Sequence, residues 1–313
     1  MKSLLYAGVV ILLALLTACN TTYEYGPDTV AVMASYTDYI NATEATPSEG
    51  KGEEPPEAPE ETGITGKLTH LVYGDTSVYL FGSMHVGAPD WFPLHPAVYR
   101  AMGEASLFAF EYDLSIDPVV IASMMVQHMR TDPALGNSGE LPIFVRYTQA
   151  MIQAFEAVGL SQSYSLDQYV LAQAQARNAQ VTGLIPIEQE LAMVMPQPAE
   201  VVAWLGEHFP LVEELLEEAQ ATKELYASQD FDGLAQLIAP SVVGENVLEQ
   251  WLATQVLAKR SELFVEGIVA LVQDKNQNKN PQGDTVFVTL GIGHLLGEAN
   301  VIDALVQRGF AVQ

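Results

Sequence analysis

The chain has 313 residues, 49% of them hydrophobic, and a formal charge of −26 from 39 acidic against 13 basic side chains. A surface this acidic repels nucleic-acid phosphates and anionic lipid headgroups, which excludes a nucleic-acid binder and a basic membrane patch. The single cysteine, Cys19, permits neither an intrachain disulfide nor a cysteine zinc site, so an apolar core alone must hold the fold.

The chain begins with Met1-Lys2 and an apolar run from Leu4 to Leu16, too short for a comfortable membrane span and ending in Leu16-Thr17-Ala18-Cys19. That ending resembles the lipobox of bacterial lipoproteins. It predicts a signal peptide over 1–18 and a lipid on Cys19, and hence a protein anchored in the bacterial cell envelope on its periplasmic or outer-membrane face. Residues 19–63 turn to Glu, Pro, Thr and Gly, and such a composition cannot bury enough apolar surface to offset chain entropy, so an acidic disordered tether is expected. Ten acids and Lys51 give residues 21–63 a charge of −9 and Lys2 adds +1, leaving −18 on a domain at 64–313.

Within that domain, residues 77–81 read as a buried strand, 93–103 as a helix and 107–110 as a second strand ending at Glu111, which together form a βαβ unit. A helical insertion at about 115–273 follows, with helices at 118–129, 142–158, 166–178, 198–209, 211–228, 232–238 and 247–273. The last shows Val247, Leu248, Trp251, Leu252, Val256 and Leu257 at the three-and-four spacing of an amphipathic helix. Residues 180–187 interrupt as a short strand ending at Glu188. After a polar loop at 276–283, residues 285–290 predict a third buried strand, 297–309 a helix and 310–312 a final strand.

One phrase occurs twice. Asp75-Thr76 leads through an apolar strand to Gly82-Ser83-Met84-His85, and Asp284-Thr285 leads through another to Gly291-Ile292-Gly293-His294. The repeat suggests two equivalent βα units, hence an α/β fold with a mixed, largely parallel sheet and a long helical insertion. Ligand sites in such sheets lie at the carboxyl ends of strands, where His85, Glu111, Glu188 and His294 are all expected. Two histidines and one or two carboxylates suit a divalent metal that activates water, with zinc, manganese, cobalt and iron undistinguished. A remaining Glu would then serve as general base. No His-Glu-x-x-His helix, Gly-x-Ser-x-Gly elbow or phosphate-binding loop is present, and Ser83 reads as a turn residue.

The run Val78 to Gly87, continuing through Trp91-Phe92-Pro93-Leu94 to Phe110-Glu111-Tyr112-Asp113-Leu114, resembles the opening signature of the TraB/GumN family, which includes the TIKI metalloproteases. Val288 to Gly297 and Gly309-Phe310-Ala311-Val312 resemble its closing motif. The resemblance implies that His85, Glu111 and His294 form a metal centre and that Arg260, with Ser261 in place of an Asn, matches an internal Arg-Asn motif. It also implies a carboxylate at the position of Ile185, which Glu188 replaces from a shifted position or which is missing. Glu111, Glu188 and Arg260 are then the catalytic candidates, in a metal-dependent hydrolase of peptides or proteins. The alternative is an envelope lipoprotein that binds haem or a metal ion in the same cleft without turnover.

Overall fold

Three short apolar runs anticipated as strands form the middle of one sheet in the computed structural model. The structure describes residues 63–131, 142–194, 197–238, 246–277, 285–297 and 300–313. The expected leader, Cys19 and the acidic stretch to residue 62 lie outside the described residues, as does Asp284 of the second repeat. Among the described residues no helix is long and apolar enough to cross a membrane.

The strands are β1 (Lys67–Tyr73), β2 (Thr76–Ser83), β3 (Leu107–Phe110), β4 (Gln180–Gly183), β5 (Thr285–Gly291) and β6 (Ala311–Val312), in the spatial order β4-β3-β5-β2-β1-β6. The four from β4 to β2 run parallel, and β1 runs antiparallel to both of its neighbours. The sequence does not announce β1, whose Lys67, Thr69 and His70 break up its apolar residues and whose residues are mostly half-buried. Its signal is the turn that follows. Tyr73 pairs with Thr76, so Gly74 and Asp75 alone close the hairpin, with Gly74 at a φ of 61°, where a side chain would be strained. Asp75, the first residue of the repeat, is thus a hairpin turn residue.

Alternation along the strands sorts the core into two faces. Phe81, Phe108, Phe110 and Phe287 point to one, and Val78, Leu80, Leu107, Ala109, Val286, Val288 and Leu290 to the other. The phenylalanine face packs under the helices α1 (Pro96–Glu104), α2 (Pro118–Thr131), α3 (Ile143–Ala157), α4 (Leu166–Ala176), α5 (Ile187–Val194), α6 (Ala199–Glu207), α7 (Val212–Ala227), α8 (Phe231–Ile238) and α9 (Val247–Trp251). The aliphatic face is covered by α10 (Lys259–Gln277) and α11 (Val301–Gln307), through Phe264, Val265, Ile268, Val272, Val301 and Leu305. The result is a three-layer α/β/α architecture, with the helical segment between β3 and β5 contributing β4 to the sheet edge.

Two boundaries differ from expectation in ways that matter for the site. The run 180–187 is not one strand: β4 ends at Gly183, and Pro186 opens α5 by accepting from the N–H groups of Gln189 and Glu190. Glu188 therefore lies in the first turn of a helix instead of at a strand end. Between α9 and α10 the helix passes through a π-helical stretch, Leu252–Ala258, closed where Lys259 N–H donates to the Thr254 carbonyl five residues back. This wider stretch resets which face of the helix carries Arg260 and Ser261.

Phe287 sits in the central strand with ring centroids 5.9 Å from Phe81 and 5.6 Å from Phe108. Phe287→Ala empties the middle of that layer and should lower unfolding free energy by about 3–5 kcal/mol, read from the urea midpoint at unchanged slope.

Candidate functional site

The parallel strands end along one edge, where Ser83 pairs with Gly291 and Phe110 pairs with Gly183 and Thr289. The side chains that follow these ends, together with others from the start of α4, line a cavity of about 20 Å³ walled by His85, Glu111, Tyr112, Ser165, Asp167 and Gln168. That is roughly the space one water molecule needs.

His85 reaches this cavity because the loop after β2 is fastened to the segment entering α4. Gly87 and Ser161 exchange backbone hydrogen bonds at 3.0 and 2.7 Å, and Leu166 N–H donates to the Met84 carbonyl at 3.1 Å. Gly87 is required there, since a Cβ would meet the Tyr164 carbonyl oxygen at 2.1 Å. Ser165 caps α4 and leaves Asp167 in its first turn. Asp167 Oδ2 then lies 2.7 Å from His85 Nδ1, and Ser83 Oγ lies 2.6 Å from Asp167 Oδ1 and 3.1 Å from the Leu290 carbonyl. Ser83, expected to serve the turn, instead holds the carboxylate that holds the histidine. The other ring nitrogen, His85 Nε2, is buried without a hydrogen-bond partner among the described residues.

The second histidine belongs to a different network. Arg260, wholly buried, donates from Nη2 to Glu111 Oε2 at 2.7 Å and from Nε to Glu190 Oε2 at 3.1 Å, and its Nη1 lies 3.3 Å from His294 Nε2. Glu190 Oε1 is 2.5 Å from Arg260 Nη2 but accepts no directed hydrogen bond, so this contact is an ion pair alone. Glu111 Oε1 accepts from the Gly291 N–H at 2.7 Å. Ser261 Oγ lies 2.8 Å from His294 Nδ1. An imidazole nitrogen that faces an arginine N–H must accept, so Nδ1 carries the proton and His294 is neutral.

The protonation tendencies follow from these partners. Burial pulls the His85 imidazole down, but the Asp167 carboxylate, helped by Glu111, outweighs it and leaves His85 above its ordinary value. Burial pushes Glu111 up, yet Arg260, His294, His85 and the Gly291 N–H together hold it below the usual carboxylate range. Glu190 goes the other way, since burial and the neighbouring Glu111 charge exceed the relief that Arg260 gives. Burial, with Arg260 and His85 nearby, drives His294 down to about 3.

Of the expected residues, the structure gathers Glu111, Arg260 and His294 into one network and places His85 with Glu111 on the cavity wall. It does not bring in Glu188, which is exposed. The carboxylate from this helix is Glu190, and Ile185 is buried in the aliphatic core on the other face of the sheet. Asp167 is not anticipated by the sequence, and Ser261, expected only as the residue in place of the motif's Asn, proves to hold His294 Nδ1. The two repeats are also out of step. By sequence Gly82 matches Gly291, but the sheet pairs Gly82 with Leu290, so the two glycines face opposite sides and no local symmetry relates the histidines.

A metal centre of His85, Glu111 and His294 requires three open donors around one point. Only His85 Nε2 is open, because Glu111 and His294 are both turned to Arg260. Among the described residues no group of three or more His, Cys, Asp or Glu is placed to hold an ion. The donor set, as arranged, does not fit the three-ligand site.

His294 has its folded pKa below its unfolded value, so its contribution to stability is present above about pH 6.5 and is lost as pH falls toward 3. His85, raised, contributes in the opposite sense and is flat below 6.5. Between pH 6.5 and 4.5, unfolding free energy should therefore fall by at most about 1.4 kcal/mol per pH unit through His294. His294→Gln should flatten that slope in urea titrations across the window.

Comparison with protein families matches residues 68–138 and 142–313 to the TraB/PrgY/gumN family. No curated protein matches the chain, and no solved structure does. Both histidine-bearing strand ends, the Arg260 network and the Asp167 brace all fall inside matched stretches that take in most of the sequence, and the chain belongs to the TraB/PrgY/gumN family.

Proposed function

We propose that this protein is a hydrolase of peptide or protein substrates, held at the cell envelope by a lipid on Cys19. The observation that carries the reading is His85: one ring nitrogen braced by Asp167, the other buried, unpartnered and beside a cavity of about 20 Å³. A histidine so held is arranged as a general base. Neutral His85 takes a proton from water at Nε2 as the water attacks the scissile carbonyl, and Asp167 stabilises the imidazolium that forms. The same nitrogen returns the proton to the leaving amine. Glu111, fixed by Arg260 and the Gly291 N–H, also lines the cavity and keeps its charge close to the developing imidazolium.

Because His85 must be neutral to act as base and its pKa is raised, kcat/KM should climb with pH above about 6.5. The test is cleavage of a fluorogenic peptide library by the purified protein. His85→Ala should lose about 10²–10⁴-fold in kcat/KM, and Asp167→Asn should move the ascending limb to lower pH. Undiminished cleavage by His85→Ala would sink the proposal.

A second reading rests on the same atom. Metal-ligating histidines commonly donate their other nitrogen to a carboxylate, as His85 does to Asp167, so an ion-binding envelope lipoprotein without turnover is the alternative. A haem would require the cavity to open far beyond its present size. Ion retention that depends on His85, in a protein that cleaves no library member, favours this second reading.

The anchor has its own check. Cys19→Ser should release the protein from the membrane fraction, and mass spectrometry should find a diacylglyceryl-modified Cys19 at the mature terminus of the wild type.

A further inference from the structure

Behind the cavity, the Arg260 network has the makings of a different site. Glu111, Glu190 and His294 converge on one guanidinium at 2.7, 2.5 and 3.3 Å, and these four residues are at most 4% exposed. Glu111 Oε1 and His294 Nε2 are 3.9 Å apart. Two ligands of a single ion with bonds near 2 Å lie about 3–4 Å apart. Two carboxylates and a neutral imidazole are donors that suit zinc, manganese or iron. His294 is already the right tautomer, since Ser261 fixes Nδ1 and leaves Nε2 to accept.

We infer that the Arg260 guanidinium is a built-in cation occupying what is otherwise a divalent-metal position. The chain then binds no ion at His294 and gains a site, with Glu111, Glu190 and His294 as ligands, when Arg260 is removed. The guanidinium cannot give up its charge at any working pH, and its fork of N–H groups meets the carboxylates that an ion would need. A divalent ion placed beside it would face a fixed positive charge in a buried setting, where that repulsion is poorly screened. The assignment holds whatever reaction His85 serves.

The experiment uses the purified protein and its Arg260→Ala variant, each with zinc, manganese or cobalt: the thermal midpoint is read with the metal present, and bound metal is assayed after desalting. Wild type should retain no stoichiometric ion that depends on His294 and show no shift. Arg260→Ala should unfold at lower temperature without metal and gain about 5–10 °C at roughly 100 times the dissociation constant. That gain should vanish in Arg260→Ala/His294→Gln. One ion per wild-type chain, lost on His294→Ala, overturns the inference, and so does a folded Arg260→Ala that ignores all three metals. If Arg260→Ala yields soluble protein only when metal is present, the inference is supported directly. If it yields none under any condition, the wild-type metal content decides alone in the same two directions.

Discussion

The burial of one positive charge governs the polar interior of this protein. A guanidinium taken wholly out of water carries a penalty of several kcal/mol, and it is tolerated only where hydrogen-bonded carboxylates surround it. Arg260 meets that requirement with carboxylates from two distant parts of the chain, one at the end of β3 and one on α5, and its Cζ stacks 5.1 Å from the Phe264 ring. The constraint extends outward from there. Glu111 must also face the N–H of Gly291, the last residue of β5, so a shift of either strand would strand a charge. The π-helical stretch before Arg260 departs from ideal helical geometry and gives the side chain the phase that points it inward.

Fixed in this way, the two histidines of the repeated phrase have opposite characters. His85 is poised to gain a proton, because a carboxylate touches its outer nitrogen. His294 is kept from gaining one, because a cation faces it. A proton arriving at the strand ends therefore has one favoured destination. This asymmetry arises from partners on α4 and α10, and nothing in the Gly-x-x-His phrase itself encodes it.

What was legible from the sequence tracks what local pattern controls. The strands β2, β3 and β5 announce themselves by short apolar runs between turn residues, and the long helices by their periodicity. The register offset was not legible, since two phrases of matching pattern in neighbouring strands say nothing about how the strands slide. Glu190 was within reach. Once Pro186 is read as a helix start, Ile187, Leu191 and Val194 form the buried stripe, and Glu190 shares that face while Glu188 does not. Asp167 carried no such signal, because an acid in the first turn of a helix is ordinary. Its role depends on a contact 82 residues away in sequence.

The central pairing of the sheet joins the beginning of the domain to its end: Ser77 lies beside Thr285 and Ser83 beside Gly291. While the chain is being synthesised, β2 leaves the ribosome with no parallel neighbour and waits for some two hundred further residues before one exists. Glu111 likewise lacks the backbone amide that anchors it until Gly291 has emerged. The strand-end edge is therefore among the last parts of the molecule to assemble, and a product truncated between α4 and β5 carries His85 and Asp167 without the sheet that holds them in place. Slow folding is the corollary, because so distant a pairing must close a very long loop before any contact rewards it.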